Sequence, residues 1–231
     1  MMKIDLNCDM GESFGTYTLG YDEAAMPYVT SINVACGFHA SDPMNMQKTV
    51  RLAKKYGVAV GAHPSFPDLV GFGRRVMALT PEEIKADVIY QIGALWGFCL
   101  SEGIKMQHVK VHGALYNQAE KDLATATAIA EAIKLVSPDL YMLCLGNSTM
   151  VTAAQNVGVK FVEEAFADRA YTKEGNLVSR KQAGAVIHDV SLVAERVFSM
   201  VKFQTIKSID QYDVPIRAQT ICVHGDTPGA V

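Results

Sequence analysis

The residues best suited to chemistry in this 231-residue chain fall in short polar clusters, the first being DLNCDMGESFG at 5–15. In an extended strand Asp5, Asn7 and Asp9 project to one side, with Leu6 and Cys8 on the other. A solvated edge strand tolerates such a face. A buried polar site tolerates it only when it holds a ligand or a metal. Comparable clusters recur as ACGFHASD (35–42), GAHPSFPDLVGFGRR (61–75), KVHGALYN (110–117), EEAFADRAY (163–171) and CVHGDTPGA (222–230). Asp9, His63 and His112 make the best metal-ligand trio, one hard carboxylate and two borderline imidazoles suited to Zn²⁺ or another divalent ion with an open position. Such an ion would polarise a carbonyl or activate water. Without one, Asp9 or His112 is a candidate general base, and Lys110 and Arg169 are candidates to stabilise oxyanion or phosphate charge.

These clusters each follow a strand pattern. Short β-branched runs occur at 3–6, 31–35, 58–61, 108–111, 141–145, 159–163 and 219–223, with helical patterns between most of them. Asp42 and Pro43 open one helix, which Gly57 ends; Thr80 and Glu83 form a capping box for a second, which Gly103 ends. Residues 119–136 and 191–201 also carry helical periodicity. Alternating strands and helices predict a parallel sheet, and about seven units favour a closed or nearly closed α/β barrel over an open sheet, spanning residues 1–231 as one domain. In such a barrel the strand C-termini meet at one rim. Asp9, Glu12, His39, His63, Lys110, His112, Asp168, Arg169, His224 and Asp226 are therefore expected around one mouth.

Within that mouth Asp9, Glu12, Lys110, His112, Asp168 and Arg169 are the candidate catalytic residues. Asn7, Asn33, His39, Arg74, Arg75, His224 and Asp226 are candidates to contact the ligand. Each has a plainer alternative. A strand-end histidine can simply bond a loop carbonyl, Asp9 can cap the turn at Met10–Gly11, and Arg74–Arg75 can be a solvated loop pair. His108 and His188 lack the strand-end placement and are expected to be structural. Lys110 is the hardest to explain away, because a lysine facing a barrel interior must be paired or functional.

The formal net charge of −3 argues against nucleic acid as a partner, and no apolar run approaches the ~20 residues of a membrane span. A charged segment followed by an apolar one is missing from the N-terminus, so a secretory signal is not expected. The five cysteines are scattered without a CxxC pair, which predicts reduced thiols and a cytoplasmic protein. Neither GxxxxGK[ST] nor GxGxxG occurs, so a P-loop or Rossmann nucleotide site is excluded.

The same six clusters, in order from Asp5 to Val231, resemble the LamB/YcsF family. The resemblance implies a seven-stranded TIM-like (β/α) barrel of the glycoside hydrolase/deacetylase type. It further implies the A subunit of a bacterial 5-oxoprolinase, which acts with subunits B and C to open 5-oxoproline (pyroglutamate) to L-glutamate, using ATP with Mg²⁺. Deacetylases of the wider group hold a divalent metal through an aspartate and histidines, and Asp9, His63 and His112 are the counterparts by position. Three departures from the family pattern stand out. Lys110-Val111-His112-Gly113 replaces Lys-Pro-His-Gly, and Ser41-Asp42-Pro43 replaces Gly-Asp-Pro. Ala170 and Ser179 stand where Arg and Pro are expected. Family members are also expected to carry a further C-terminal helix, without which part of the barrel would be uncovered. Two other readings remain open: a metal-dependent deacetylase working alone, and a non-catalytic lactam-binding subunit.

Overall fold

Every second residue of the first strand points at the same interior, and the computed structural model, which describes residues 3–224, shows what that interior is. Strands β1 (Asp5–Met10), β2 (Ser31–Ala35), β3 (Ala59–His63), β4 (Met106–Val109), β5 (Tyr141–Leu145) and β6 (Lys160–Phe166) join β9 (Thr220–His224) in a closed parallel barrel. The expected seven-stranded barrel is thus formed. Closure comes from β9, which pairs with β6 on one side and with β1 on the other, Asp9 standing opposite His224. A two-stranded antiparallel ribbon, β7 (Thr205–Lys207) with β8 (Asp213–Pro215), precedes β9. Its three-residue strands are too short to leave an alternation pattern.

Helices α1 (Asp22–Ala25), α2 (Pro43–Tyr56), α3 (Pro81–Glu102), α4 (Gly113–Ala119), α5 (Leu123–Val136), α6 (Thr149–Val157) and α7 (Val190–Phe203) occupy the connections. The caps are those the sequence promises. Asp42 accepts from the Met44 and Asn45 amides, and Thr80 and Glu83 close a reciprocal capping box. Periodicity alone predicts one helix over 119–136, yet Asp122 accepts from the Ala124 and Thr125 amides and starts a new helix there. Outward-facing Ile32, Val34, Val60 and Ala62 are fully buried beneath the helices. No helix among the described residues is long and apolar enough to cross a membrane.

The barrel interior is polar, whereas bulky branched side chains usually fill it. Asn33 donates to Asn7 Oδ1 at 2.7 Å and to Asp9 Oδ1 at 2.8 Å, and accepts from the His108 ring at 2.8 Å. Gly61 is what admits that ring, because a Cβ there would lie 2.2 Å from it. The first strand, expected over 3–6, runs over Asp5–Met10, so the shared face of Asp5, Asn7 and Asp9 lies wholly inside it. Hydrogen bonding to neighbouring strands makes the polar face tolerable there.

Burial lowers the His108 pKa from 6.5 to about 4, so the folded state holds this ring neutral. The unfolded chain takes up its proton first, and the stability associated with the neutral ring is complete above about pH 6.5. It is lost as pH falls towards 4, by roughly 3 kcal/mol at the limit. Urea unfolding followed from pH 7 to pH 4.5 is expected to show this decline, while the His108 ring resonances stay those of the neutral form. A ring that titrates near its ordinary value refutes the assignment.

Candidate functional site

At the C-terminal ends of the strands a cavity of about 470 Å³ opens, with Asp9, Glu12, His63, Lys110 and His112 in its wall. Asp9 is the penultimate residue of β1 and His63 the last of β3; Lys110 and His112 follow β4, His112 serving as the residue that precedes α4. Glu12 and His39 reach in from the loops after β1 and β2. The loop after β3 folds over them at Gly73, whose φ of +62° and lack of a side chain are both required. A Cβ there would meet Ser65 Oγ at 2.2 Å and the His112 ring at 2.9 Å.

The hydrogen bonds fix which nitrogens carry protons. His63 Nδ1 lies 2.6 Å from the Lys110 carbonyl, and His112 Nε2 lies 2.9 Å from the Phe72 carbonyl. A carbonyl only accepts, so both nitrogens donate, and a neutral ring then keeps its lone pair on the opposite nitrogen. Those two lone-pair nitrogens, His63 Nε2 and His112 Nδ1, face each other at 3.0 Å. Asp9 Oδ2 lies 3.3 Å from His63 Nε2, and Glu12 Oε1 lies 3.7 Å from His112 Nδ1 and 3.1 Å from His39 Nε2. His39 stacks on His112 with ring centroids 3.8 Å apart, and its buried Nδ1 has no hydrogen-bond partner among the described residues. Burial, and then the neighbouring rings, depress the pKa of His39 and of His112 well below the ordinary value. The centre is therefore rich in acceptors and poor in protons, which suits a cation.

Ligand atoms of Glu12, His39, His63 and His112 all lie within 4.8 Å of one another, and this group could hold a metal ion. One carboxylate and three imidazoles are the donor set that Zn²⁺ and similar ions take. The set differs from the expected trio of Asp9, His63 and His112 by gaining Glu12 and His39 and losing Asp9. Asp9 stands beside it, its Oδ1 engaged by Lys110 at 3.1 Å and by Asn33.

Lys110 is buried at 2% exposure and reaches Asp9, Glu164 Oε1 (2.9 Å) and Cys222 Sγ (2.9 Å). Burial works against its charge, but the carboxylates outweigh it and hold the ammonium well above the usual lysine range. The Cys222 thiol is pushed up by burial.

The other candidates divide between the cavity wall and positions away from it. Asn7 and Asn33 are fully buried beneath the cavity and orient its wall. Arg74 lines the cavity and lies over the Phe72 ring, 4.9 Å from its centroid. Arg75 turns away from ligand contact, clasping the Asp68 carboxylate through Nε at 3.0 Å and through Nη2. Arg169 lines the cavity while donating to the Val178 carbonyl at 2.6 Å and the Ala185 carbonyl at 3.3 Å, which ties down the following loop. Asp168, buried beside it, is not part of the cavity wall and acts electrostatically on Arg169 and Arg196. His224 ends β9, and Asp226 lies outside the described residues. Sequence reasoning passed over Glu164 and Tyr116. The signal for Glu164 was the acidic pair Glu163–Glu164 between the apolar pairs Phe161–Val162 and Ala165–Phe166.

A closed parallel barrel with an acid–histidine centre at its C-terminal mouth defines an α/β-barrel protein whose site is competent for a metal. The chain belongs to the LamB/YcsF family, whose sequence profile matches residues 4–231. It is 58% identical to the A subunit of a 5-oxoprolinase from Clostridium beijerinckii, over 98% of this chain and 89% of that protein. The corresponding 5-oxoprolinase chain of Thermococcus onnurineus is 56% identical over 100% of this chain and 90% of its own length. The crystal structure of a lactam utilization protein from Thermus thermophilus superposes with a TM-score of 0.95 at 48% identity, covering 99% of this chain and 93% of that one.

Proposed function

We propose that this chain, a single barrel domain, is the A subunit of a cytoplasmic ATP-dependent 5-oxoprolinase. Together with subunits B and C it opens 5-oxoproline to L-glutamate as ATP, carried with Mg²⁺, becomes ADP and phosphate. The observation that carries the reading is identity above one half, along the whole chain, to proteins of that name. The polar mouth supports it.

A five-membered lactam is a poor electrophile because its nitrogen donates into the carbonyl. Transfer of the ATP γ-phosphoryl group to the lactam oxygen, with loss of the N–H proton, releases ADP and turns the amide into an imidate phosphate whose carbon is a far better electrophile. Water then adds to the carbon, the ring nitrogen leaves as an amine, and the remaining acyl phosphate takes a second water to give the carboxylate and phosphate. Lys110 is placed to steady negative charge on the oxygen. Asp9 Oδ2, and His112 Nδ1 when its lone pair is not engaged by a metal, can move protons between water and the departing nitrogen. Arg74 and Arg169, on the cavity wall, supply positive charge for the substrate carboxylate or the phosphoryl group. A divalent metal held by Glu12, His39, His63 and His112 would supply Lewis acidity when bound.

That donor set favours a second reading, a metal-dependent hydrolase that needs no partner subunits, such as a deacetylase. The two separate in one set of assays. Purified chain combined with subunits B and C is expected to form glutamate from 5-oxoproline only with Mg²⁺ and ATP. Calorimetry with Zn²⁺ or Co²⁺ alone is expected to show one site per chain, abolished in Glu12→Ala/His63→Ala. Zinc-dependent release of acetate from an N-acetyl sugar by the chain alone, without glutamate formation by the complex, overturns the first reading.

A further inference from the structure

We propose that Glu164 is a positioning residue, a single carboxylate that accepts from Lys110 and Tyr116 and so fixes the ammonium and the phenol oxygen where the ligand meets the cavity wall. This rests on the lactam-opening reading and adds a residue to it.

Glu164 lies on β6 at 0% exposure and is not part of the cavity wall, whereas Lys110 and Tyr116 both are. Its Oε1 is 2.9 Å from Lys110 Nζ and accepts from Asn7 Nδ2 at 3.0 Å, while its Oε2 accepts from the Tyr116 hydroxyl at 3.0 Å. The two donors come from different elements, the end of β4 and the middle of α4. One carboxylate sets their mutual placement. Phe166 reinforces it, its ring edge-on to Tyr116 at 5.7 Å and beneath Lys110 Nζ at 5.0 Å. Asn7 is fixed in turn by Asn33.

Packing does not call for a carboxylate here. A barrel interior is filled well by branched aliphatic side chains, and a buried ion pair contributes little to stability beyond what such residues would. What an aliphatic side chain cannot do is hold an ammonium and a phenol at fixed positions. A displacement of about 1 Å at a reacting centre is enough to lower a rate roughly 100-fold.

The test uses the three-subunit enzyme. Glu164→Gln is expected to lower kcat about 10- to 100-fold while KM for 5-oxoproline stays within about threefold. Tyr116→Phe is expected to lower kcat less. The double variant is expected to be no slower than Glu164→Gln, because both changes break the same arrangement. Zn²⁺ stoichiometry and circular dichroism of Glu164→Gln should match the wild type and certify its fold. If that variant does not fold, Glu164→Asp, which keeps the charge but shortens the reach, is expected to fold and give an intermediate kcat. Wild-type kcat in Glu164→Gln or in Glu164→Asp overturns the inference, as do effects of Glu164→Gln and Tyr116→Phe that multiply. A wild-type complex that forms no glutamate defeats the functional reading and this inference with it, whereas an active wild type with equally active variants defeats the inference alone.

Discussion

Replacing His112 by alanine in the reconstituted enzyme is expected to lower glutamate formation by about 10²- to 10⁴-fold, the range for loss of a positioned acid–base group. The ring is held on every side that matters. Its Nε2–H is fastened to the Phe72 carbonyl at 2.9 Å, its Nδ1 faces His63 Nε2 at 3.0 Å, and its plane lies on His39. Removing it deletes a lone pair from the centre and frees His39 and His63 to reorient. The fold is expected to survive, because the ring borders the cavity rather than the packed layer beneath the helices, and water can enter the space it leaves. Thermal unfolding should move by only a few degrees, and Zn²⁺ binding should weaken together with activity. Glutamate formation at the wild-type rate would refute the role given to His112.

The parts of this fold that sequence made legible are those decided locally. Alternation along β1 puts Asp5, Asn7 and Asp9 on one face whatever surrounds them, and caps such as Asp42 and the Thr80–Glu83 pair depend only on residues within one turn. What escaped is decided by register and by side chains that meet across loops. Glu163 and Glu164 are chemically identical neighbours, yet pairing with β5 and β9 sends Glu164 into the barrel, opposite Thr220. Arg74 and Arg75 are equally adjacent, and only the fold of the loop brings Asp68 to Arg75 and leaves Arg74 on the cavity. Glu12 and His39 joined the histidine centre because two loops from different strands converge beside Gly73, a tertiary event with no sequence period. The helix expected over 119–136 divides at Asp122 because its carboxylate competes with the i−4 carbonyl for the same amides.

Substituting Lys110 by methionine is expected to damage both stability and activity, and the two losses have separate causes. The ammonium lies between Asp9 at 3.1 Å and Glu164 at 2.9 Å, and Glu164 is fully buried behind the cavity wall. Methionine fills the volume but leaves two carboxylates without their cation. Breaking a buried pair from one side costs about 3–5 kcal/mol. For a chain of this size that corresponds to a fall in melting temperature of roughly 6–20 °C. Activity is expected to drop about 10²- to 10³-fold, the usual consequence of removing a donor that steadies developing negative charge. The causes part in the double variant. Adding Glu164→Gln to Lys110→Met removes one uncompensated charge, so part of the lost melting temperature should return. Activity should not, because no ammonium faces the oxygen in either protein. Melting temperatures and glutamate formation for the two variants decide the matter. A Lys110→Met protein as stable as the wild type would show that the carboxylates need no cation, and recovered turnover in the double variant would show that Lys110 does not act on the substrate.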